Sequence, residues 1–158
     1  MSAAVRLMTV GVAHAAVLAA LHGRCFEDTW STQAMAEVLG APGAFAVVAL
    51  GPAAGSGDQP FGFALARRIG DDAELLTLCV LPEERRRGVG AALLDEVMAR
   101  ARQMGARRLF LEVAETNGAA QALYAARRFL AGRRRPDYYR GPNRVPTAAL
   151  ELSCDLGT

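Results

Sequence analysis

The sequence predicts one α/β domain, with helices packed on a mixed β-sheet. Three observations carry this expectation. The chain has 158 residues, the size of a single domain and enough to bury a core without cross-links. Apolar runs of strand length recur along it, separated by turns rich in Gly and Pro. In the second half a strand, an amphipathic helix and another strand follow one another, the pattern of a right-handed crossover between parallel neighbours. With 52% hydrophobic and 22% charged residues, the composition is that of a folded chain and not of a disordered one. No internal repeat or domain boundary interrupts it, so residues 1–158 are read as one domain.

The elements follow in order. "VRLMTVGVAHAAVLAALHG" (5–23) places Arg6 ahead of an apolar run and could pass for a secretory leader. His14 interrupts that run and no small-x-small site closes it, so a strand over 4–9 and an Ala-rich helix over about 12–24 are expected. No stretch is long enough to span a bilayer. "AFAVVAL" (44–50) and "FGFALARRI" (61–69) read as strands joined by the Gly-, Pro- and Ser-rich loop 51–60. "ELLTLCV" (74–80) is the next strand, ended by Pro82, which cannot donate to a ladder. From Gly88 the period turns helical, with Val89, Leu93, Val97 and Ala101 four apart, and Gly105 is a natural stop. "RRLFLEV" (107–113) returns to strand, and "TNGAAQALYAARRF" reads as a helix with Asn117 near its cap. Two last strands are expected near 130–135 and 147–153.

All 18 basic residues are arginine, which removes any catalytic lysine. The net charge of +2 is too small for a general nucleic-acid binder. Cys25, Cys79 and Cys154 are widely spaced without any CxxC. That usage suits a reducing, cytoplasmic setting and argues against a disulfide framework or a metal site. His14 and His22 are expected to be surface or helix-packing residues.

The stretch "PEERRRGVGAALL" (82–94) carries the chemistry. A strand that runs through an Arg- and Gly-rich turn into a helix makes an anion site. The helix start offers unpaired N–H groups and the positive end of its dipole, and glycine lets an anion approach the backbone. Arginines add charge-assisted bonds to phosphate. A Walker turn would need Gly-Lys, and this chain has no lysine. A dinucleotide fingerprint would need a third glycine at position 93, which is Leu. The bland alternative is a solvated basic turn.

Arg85, Gly88 and Gly90 form an Arg-x-x-Gly-x-Gly pattern that resembles the acyl-CoA pyrophosphate turn of the GNAT superfamily of N-acetyltransferases, and the whole run 77–129 looks like that superfamily's central motif. Within it the chain is most similar to the RimI family, bacterial acetyltransferases of the N-terminal alanine of ribosomal small-subunit protein 18. "CFEDTWS" (25–31), "FLEVAETNGAAQALY" (110–124) and "RRRPDYYR" (133–140) extend the likeness over nearly the whole chain. Where that family has Arg after Leu-Glu-Val this chain has Ala114, and where it has a helix-stop glycine before Phe129 this chain has Arg128.

The resemblance implies a GNAT fold: a mostly antiparallel sheet of six or seven strands, flanked by helices, with its central strands splayed. It implies acetyl-CoA as cosubstrate, no metal, a protein N-terminus as acceptor, and no membrane or direct nucleic-acid partner. The cofactor would lie against Leu78, Cys79 and Val80 and against the turn Arg85, Arg86, Arg87, Gly88, Val89, Gly90 and Ala91, with Asn117 as a further contact or simply a helix cap. Glu112, a lone carboxylate in an apolar strand, matches the general base, although a strand glutamate is otherwise solvated or paired with an arginine. Tyr124 matches the acid that protonates the departing thiolate; a core tyrosine is the plain alternative. Trp30, Tyr138 and Tyr139 would line the acceptor groove or simply pack. Another amine acceptor, or an acyl-CoA-binding module without turnover, are the competing readings.

Overall fold

A computed structural model describes residues 5–53, 55, 57–140 and 146–157; the side chains of 137–140 and 146 lie outside that description. In chain order the elements are β1 (Arg6–Val10), α1 (Ala15–Cys25), α2 (Thr32–Leu39), β2 (Ala44–Pro52), β3 (Asp58–Ile69), β4 (Asp72–Val80), α3 (Val89–Gln103), β5 (Arg108–Ala114), α4 (Gly118–Ala126), β6 (Leu130–Arg140) and β7 (Pro146–Asp155). The strands form one sheet in the order β1-β2-β3-β4-β5-β7-β6. Every neighbouring pair is antiparallel except β4 and β5, which run parallel across α3.

The sheet has a core on each face. Leu93, Leu94 and Val97 of α3 and Tyr124 of α4 pack with Leu75, Leu109 and Leu111 on one face. Leu18 and Leu21 of α1 and Met35 of α2 pack with Phe63, Leu65 and Cys79 on the other. Truncating a fully buried leucine such as Leu93 to alanine costs about 2–5 kcal/mol.

The second helix, α2, has no counterpart among the sequence expectations, although its signals are present. Ser31 caps it, its hydroxyl accepting from the Ala34 N–H at 3.0 Å. Met35 and Leu39 then recur four apart on its buried side.

The cysteine expectation is overturned. Cys25 and Cys79 are joined in a disulfide, with Cα atoms 6.1 Å apart and a separation of 54 positions in sequence. Packing of α1 across β4 brings them together, a proximity that sequence spacing does not reveal. The pairing removes the argument from cysteine usage for a reducing compartment. Among the described residues no helix is long and apolar enough to cross a membrane.

Both crossover helices end in the same way. In α3 the N–H of Ala106 bonds Ala101 O and that of Gly105 bonds Arg102 O; in α4 the N–H of Phe129 bonds Tyr124 O and that of Arg128 bonds Ala125 O. These are Schellman closures. Gly105 takes the left-handed position of the first at φ 93°, and Arg128 takes that of the second at φ 65°. The stop therefore forms without its glycine, and the 5.5 Å contact between the Tyr124 and Phe129 rings is the apolar clasp of that motif. A non-glycine residue there costs about 1–2 kcal/mol, and glycine returns part of it as chain entropy. Arg128→Gly is expected to raise stability by up to about 1 kcal/mol, with Arg128→Val lowering it. Equilibrium denaturation of the two variants checks both signs.

Candidate active site

The parallel pairing of β4 and β5 covers only Asp72 with Arg108, Ala73 with Leu109 and Glu74 with Phe110. Beyond Glu74 the strands part. Thr77 stands opposite Leu65 and Leu75 opposite Ala66, so Leu76 is the extra residue of a β-bulge. β5 meanwhile stays paired with β7 as far as Ala114. The sheet is thus open between residues 76–80 and 111–114.

Strand period decides which amides face the opening. The Leu81 N–H bonds Phe61 O at 2.8 Å, so by alternation the Cys79 N–H also points to β3, while those of Leu78 and Val80 point into the opening. Of the three amides expected at the cofactor strand, two face the gap. Cys79 faces the other way at its main chain, and its side chain is buried in the disulfide. The Val80 carbonyl, on the open side, accepts from Arg85 Nε at 3.0 Å.

The turn into α3 lies at one mouth of this opening. Arg86 and Gly88 both take left-handed φ, 65° and 81°, which folds successive N–H groups inward as in an anion nest. Gly88 is the N-cap of α3 and supplies no side-chain cap. The first i→i−4 bond of the helix is Ala92 N–H to Gly88 O, so Val89, Gly90 and Ala91 have no intrahelical acceptor for their N–H groups. Arg87 Nη1 reaches the buried Glu84 carboxylate at 3.2 Å. Arg85 and Arg87 thereby brace the turn, and the concave surface is main chain. A Cβ on Gly90 would meet Leu78, Val80 and Leu123 at 3.6–3.7 Å, which places the helix start directly over β4 and α4.

Glu112 and Tyr124 lie on opposite faces. Leu111 and Val113 point to the α3 side, so Glu112 points to the α1–α2 side. There it is half-buried, and Arg135 Nη2 of β6 pairs with its Oε1 at 3.2 Å. The arginine-paired alternative is therefore what the structure contains. Two further carboxylates surround it, neither expected from sequence. Glu151 stands directly opposite Glu112 on β7. Glu74 on β4 is held above the usual carboxylate range, chiefly by burial and next by the charge of Glu112. The register of three strands gathers this group, and reading Glu or Arg from β4, β6 and β7 alone would not have found it.

Tyr124 is buried on the α3 face among Leu75, Leu111 and Phe129. Asn117 caps α4, its Oδ1 accepting from the Ala120 N–H at 3.1 Å. Arg127, one turn beyond Tyr124, holds Asp95 of α3 through Nε at 2.9 Å and Nη2 at 3.2 Å. Trp30 is half-buried on the α1–α2 face. Tyr138 and Tyr139 run in β6, and their side chains fall outside the described residues. Among the described residues no group of three His, Cys, Asp or Glu is placed to hold a metal ion.

His22, unlike the exposed His14, is buried beneath this face. Burial lowers its pKa below the ordinary 6.5.

The family model described as "Acetyltransferase (GNAT) family" matches residues 15–129. The [ribosomal protein bS18]-alanine N-acetyltransferase of Escherichia coli (strain K12) is 36% identical over 77 residues, 49% of this chain and 52% of that protein. Its counterpart in Haemophilus influenzae is 31% identical over 99 residues, 63% of this chain and 67% of that protein. The matched stretch thus spans about half the length of the Escherichia coli relative. In fold, the crystal structure of the ribosomal-protein-S18-alanine N-acetyltransferase from Escherichia coli superposes with a TM-score of 0.86 at 22% identity, covering 98% of this chain and 95% of that one. Arabidopsis thaliana NAA60 in complex with acetyl-CoA gives 0.81 at 19% identity, covering 96% and 98%.

The His22 shift has a definite sign. Its folded pKa lies below the unfolded value of 6.5, so as pH falls the unfolded chain takes up the proton first. The stabilisation is complete above the unfolded value and is lost as pH drops from there toward the folded one. Urea denaturation from pH 7.5 to 5.5 is expected to show this loss, and His22→Asn to flatten it.

Proposed function

The chain belongs to the GNAT acetyltransferase family, and from that membership we propose that it transfers acetyl from acetyl-CoA to the α-amino group of a protein N-terminus. The N-terminal alanine of ribosomal small-subunit protein 18 is the leading acceptor, as in the relatives whose names carry that activity. One observation supports this most directly: the sheet opens between β4 and β5, with Glu112 on one face of the opening and Tyr124 on the other.

The residues divide the work. The diphosphate of coenzyme A rests on the main-chain N–H groups of residues 86–91, where the helix dipole favours negative charge. The pantetheine arm runs along the free edge of β4 as an added strand would. The thioester carbonyl takes a hydrogen bond from the Leu78 or Val80 N–H, donors that matter most as charge builds on its oxygen.

The acceptor amine approaches from the α1–α2 face. Glu74, Glu112 and Glu151 make that face attractive to an ammonium group. An α-amino group, with pKa about 7.7–8.0, needs only a modest base, so a carboxylate held by Arg135 suffices for it. Glu112 takes a proton from the ammonium group to free its lone pair, and the nitrogen forms its bond to the acetyl carbon. As the carbon–sulfur bond breaks, the nitrogen releases its second proton to solvent. On the opposite face the Tyr124 hydroxyl gives its proton to the departing thiolate.

With an Ala-Arg-starting peptide, thiol release from acetyl-CoA is expected, and Glu112→Gln and Tyr124→Phe are each expected to lower kcat about 100-fold. Turnover of polyamines but not of the peptide would make the chain a small-amine acetyltransferase. Tight acetyl-CoA binding with no amine turned over would make it a binding module.

The cofactor turn has its own test. Because its concave surface is main chain, Gly88→Ala is expected to weaken coenzyme A binding more than Arg86→Ala does. Calorimetric titration of both variants would refute the cradle if Gly88→Ala bound with the parent affinity.

A further inference from the structure

The loop 26–31, between α1 and α2, lies on the acceptor face and has no regular structure of its own. Its first residue, Phe26, donates its N–H to the His22 carbonyl at 3.0 Å. Near its end, Trp30 donates its N–H to His22 Nδ1 at 3.4 Å, a long bond. The imidazole also stacks on the Trp30 ring, 4.9 Å between centroids and 25° between planes, and tilts against Phe26 at 4.6 Å. The Phe26 bond is the main-chain closure of α1; the imidazole itself meets both aromatic side chains of the loop and the main chain near its far end.

His22 has a fixed base. Three positions on, Cys25 is bonded to Cys79 of β4, and Arg24 pairs with Glu83 at 2.8 Å, beside the turn that leads to α3. The end of α1 is tied to the strand that borders the opening, so whatever His22 holds is held in register with that opening. A histidine that only filled the core would be equivalent to an apolar residue. Here Nδ1 receives a main-chain N–H, which places the proton of the neutral ring on Nε2.

We propose that His22 is a positioning residue for the acceptor: it clamps the loop 26–31 so that Trp30 forms a fixed wall of the groove through which the acceptor's N-terminal segment reaches Glu112. This rests on the acetyl-transfer reading of the site. His22 touches neither acyl group nor amine, so its effect falls on acceptor binding.

The test pairs kinetics with the emission of Trp30, the sole tryptophan of the chain. His22→Ala removes the imidazole's contacts and leaves the main-chain bond to Phe26 in place, His22→Phe keeps a ring without the nitrogen acceptor, and His22→Asn restores an acceptor at the δ position. The Ala and Phe variants are expected to raise the peptide KM about tenfold, the effect of about 1.4 kcal/mol. Their kcat and acetyl-CoA KM should change little, and Trp30 should become more accessible to acrylamide. His22→Asn, which folds without the buried ring nitrogen's titration, is expected to bring the peptide KM back toward the parent value. An unchanged peptide KM in His22→Ala would overturn the proposal, as would parallel losses in kcat and acetyl-CoA KM. If the parent turned over no amine at all, the acetyl-transfer reading would fail. Trp30 quenching would then decide the clamp by itself, and an unchanged quenching constant would refute it.

Discussion

The structure depends on one interruption: β4 and β5 stop pairing after Glu74 and Phe110. Backbone N–H and C=O groups in a sheet must find partners, and here a central strand turns some of its own toward an opening. The bulge at Leu76 carries β4 away, while β5 remains committed to β7. The result is a free strand edge in the middle of a sheet, where an extended ligand can complete the ladder. It is also a passage between two faces that the rest of the sheet keeps apart.

The surrounding elements serve that passage. α3 begins over β4 with uncapped N–H groups, because Gly88 has no side chain to cap them. The charged side chains nearby are occupied in shaping the turn, Arg85 on the Val80 carbonyl and Arg87 on Glu84. α4 is closed by a Schellman motif whose apolar clasp includes Tyr124, so the same contact that stops the helix fixes the phenol. On the opposite face, Arg135 and the carboxylates of β4, β5 and β7 form a charged group around Glu112. Glu112 and Tyr124 thus lie on opposite faces of the opening, separated by the sheet.

Much of this was legible in the sequence, for identifiable reasons. The four-residue recurrence from Val89 to Ala101 and the flanking strands locate the crossover, and Gly88 and Gly90 locate the turn. Asn117 caps its helix as expected. The helix α2 was also written in the chain, in Ser31, Met35 and Leu39, but is only eight residues long, too short for periodicity to stand out. What could not be read was long-range register. The Cys25–Cys79 bond and the grouping of Glu74, Glu112, Glu151 and Arg135 join residues whose separations in sequence carry no signal. The direction of the Leu78, Cys79 and Val80 amides also depends on the bulge at Leu76, which no residue type announces.

The most direct test is to follow the backbone amide resonances of the protein while coenzyme A is added. The account predicts that the largest shifts fall on residues 86–91 and on Leu78 and Val80, with the amide of Cys79, committed to β3, moving less. Shifts concentrated elsewhere on the sheet, or none at saturating ligand, would contradict it.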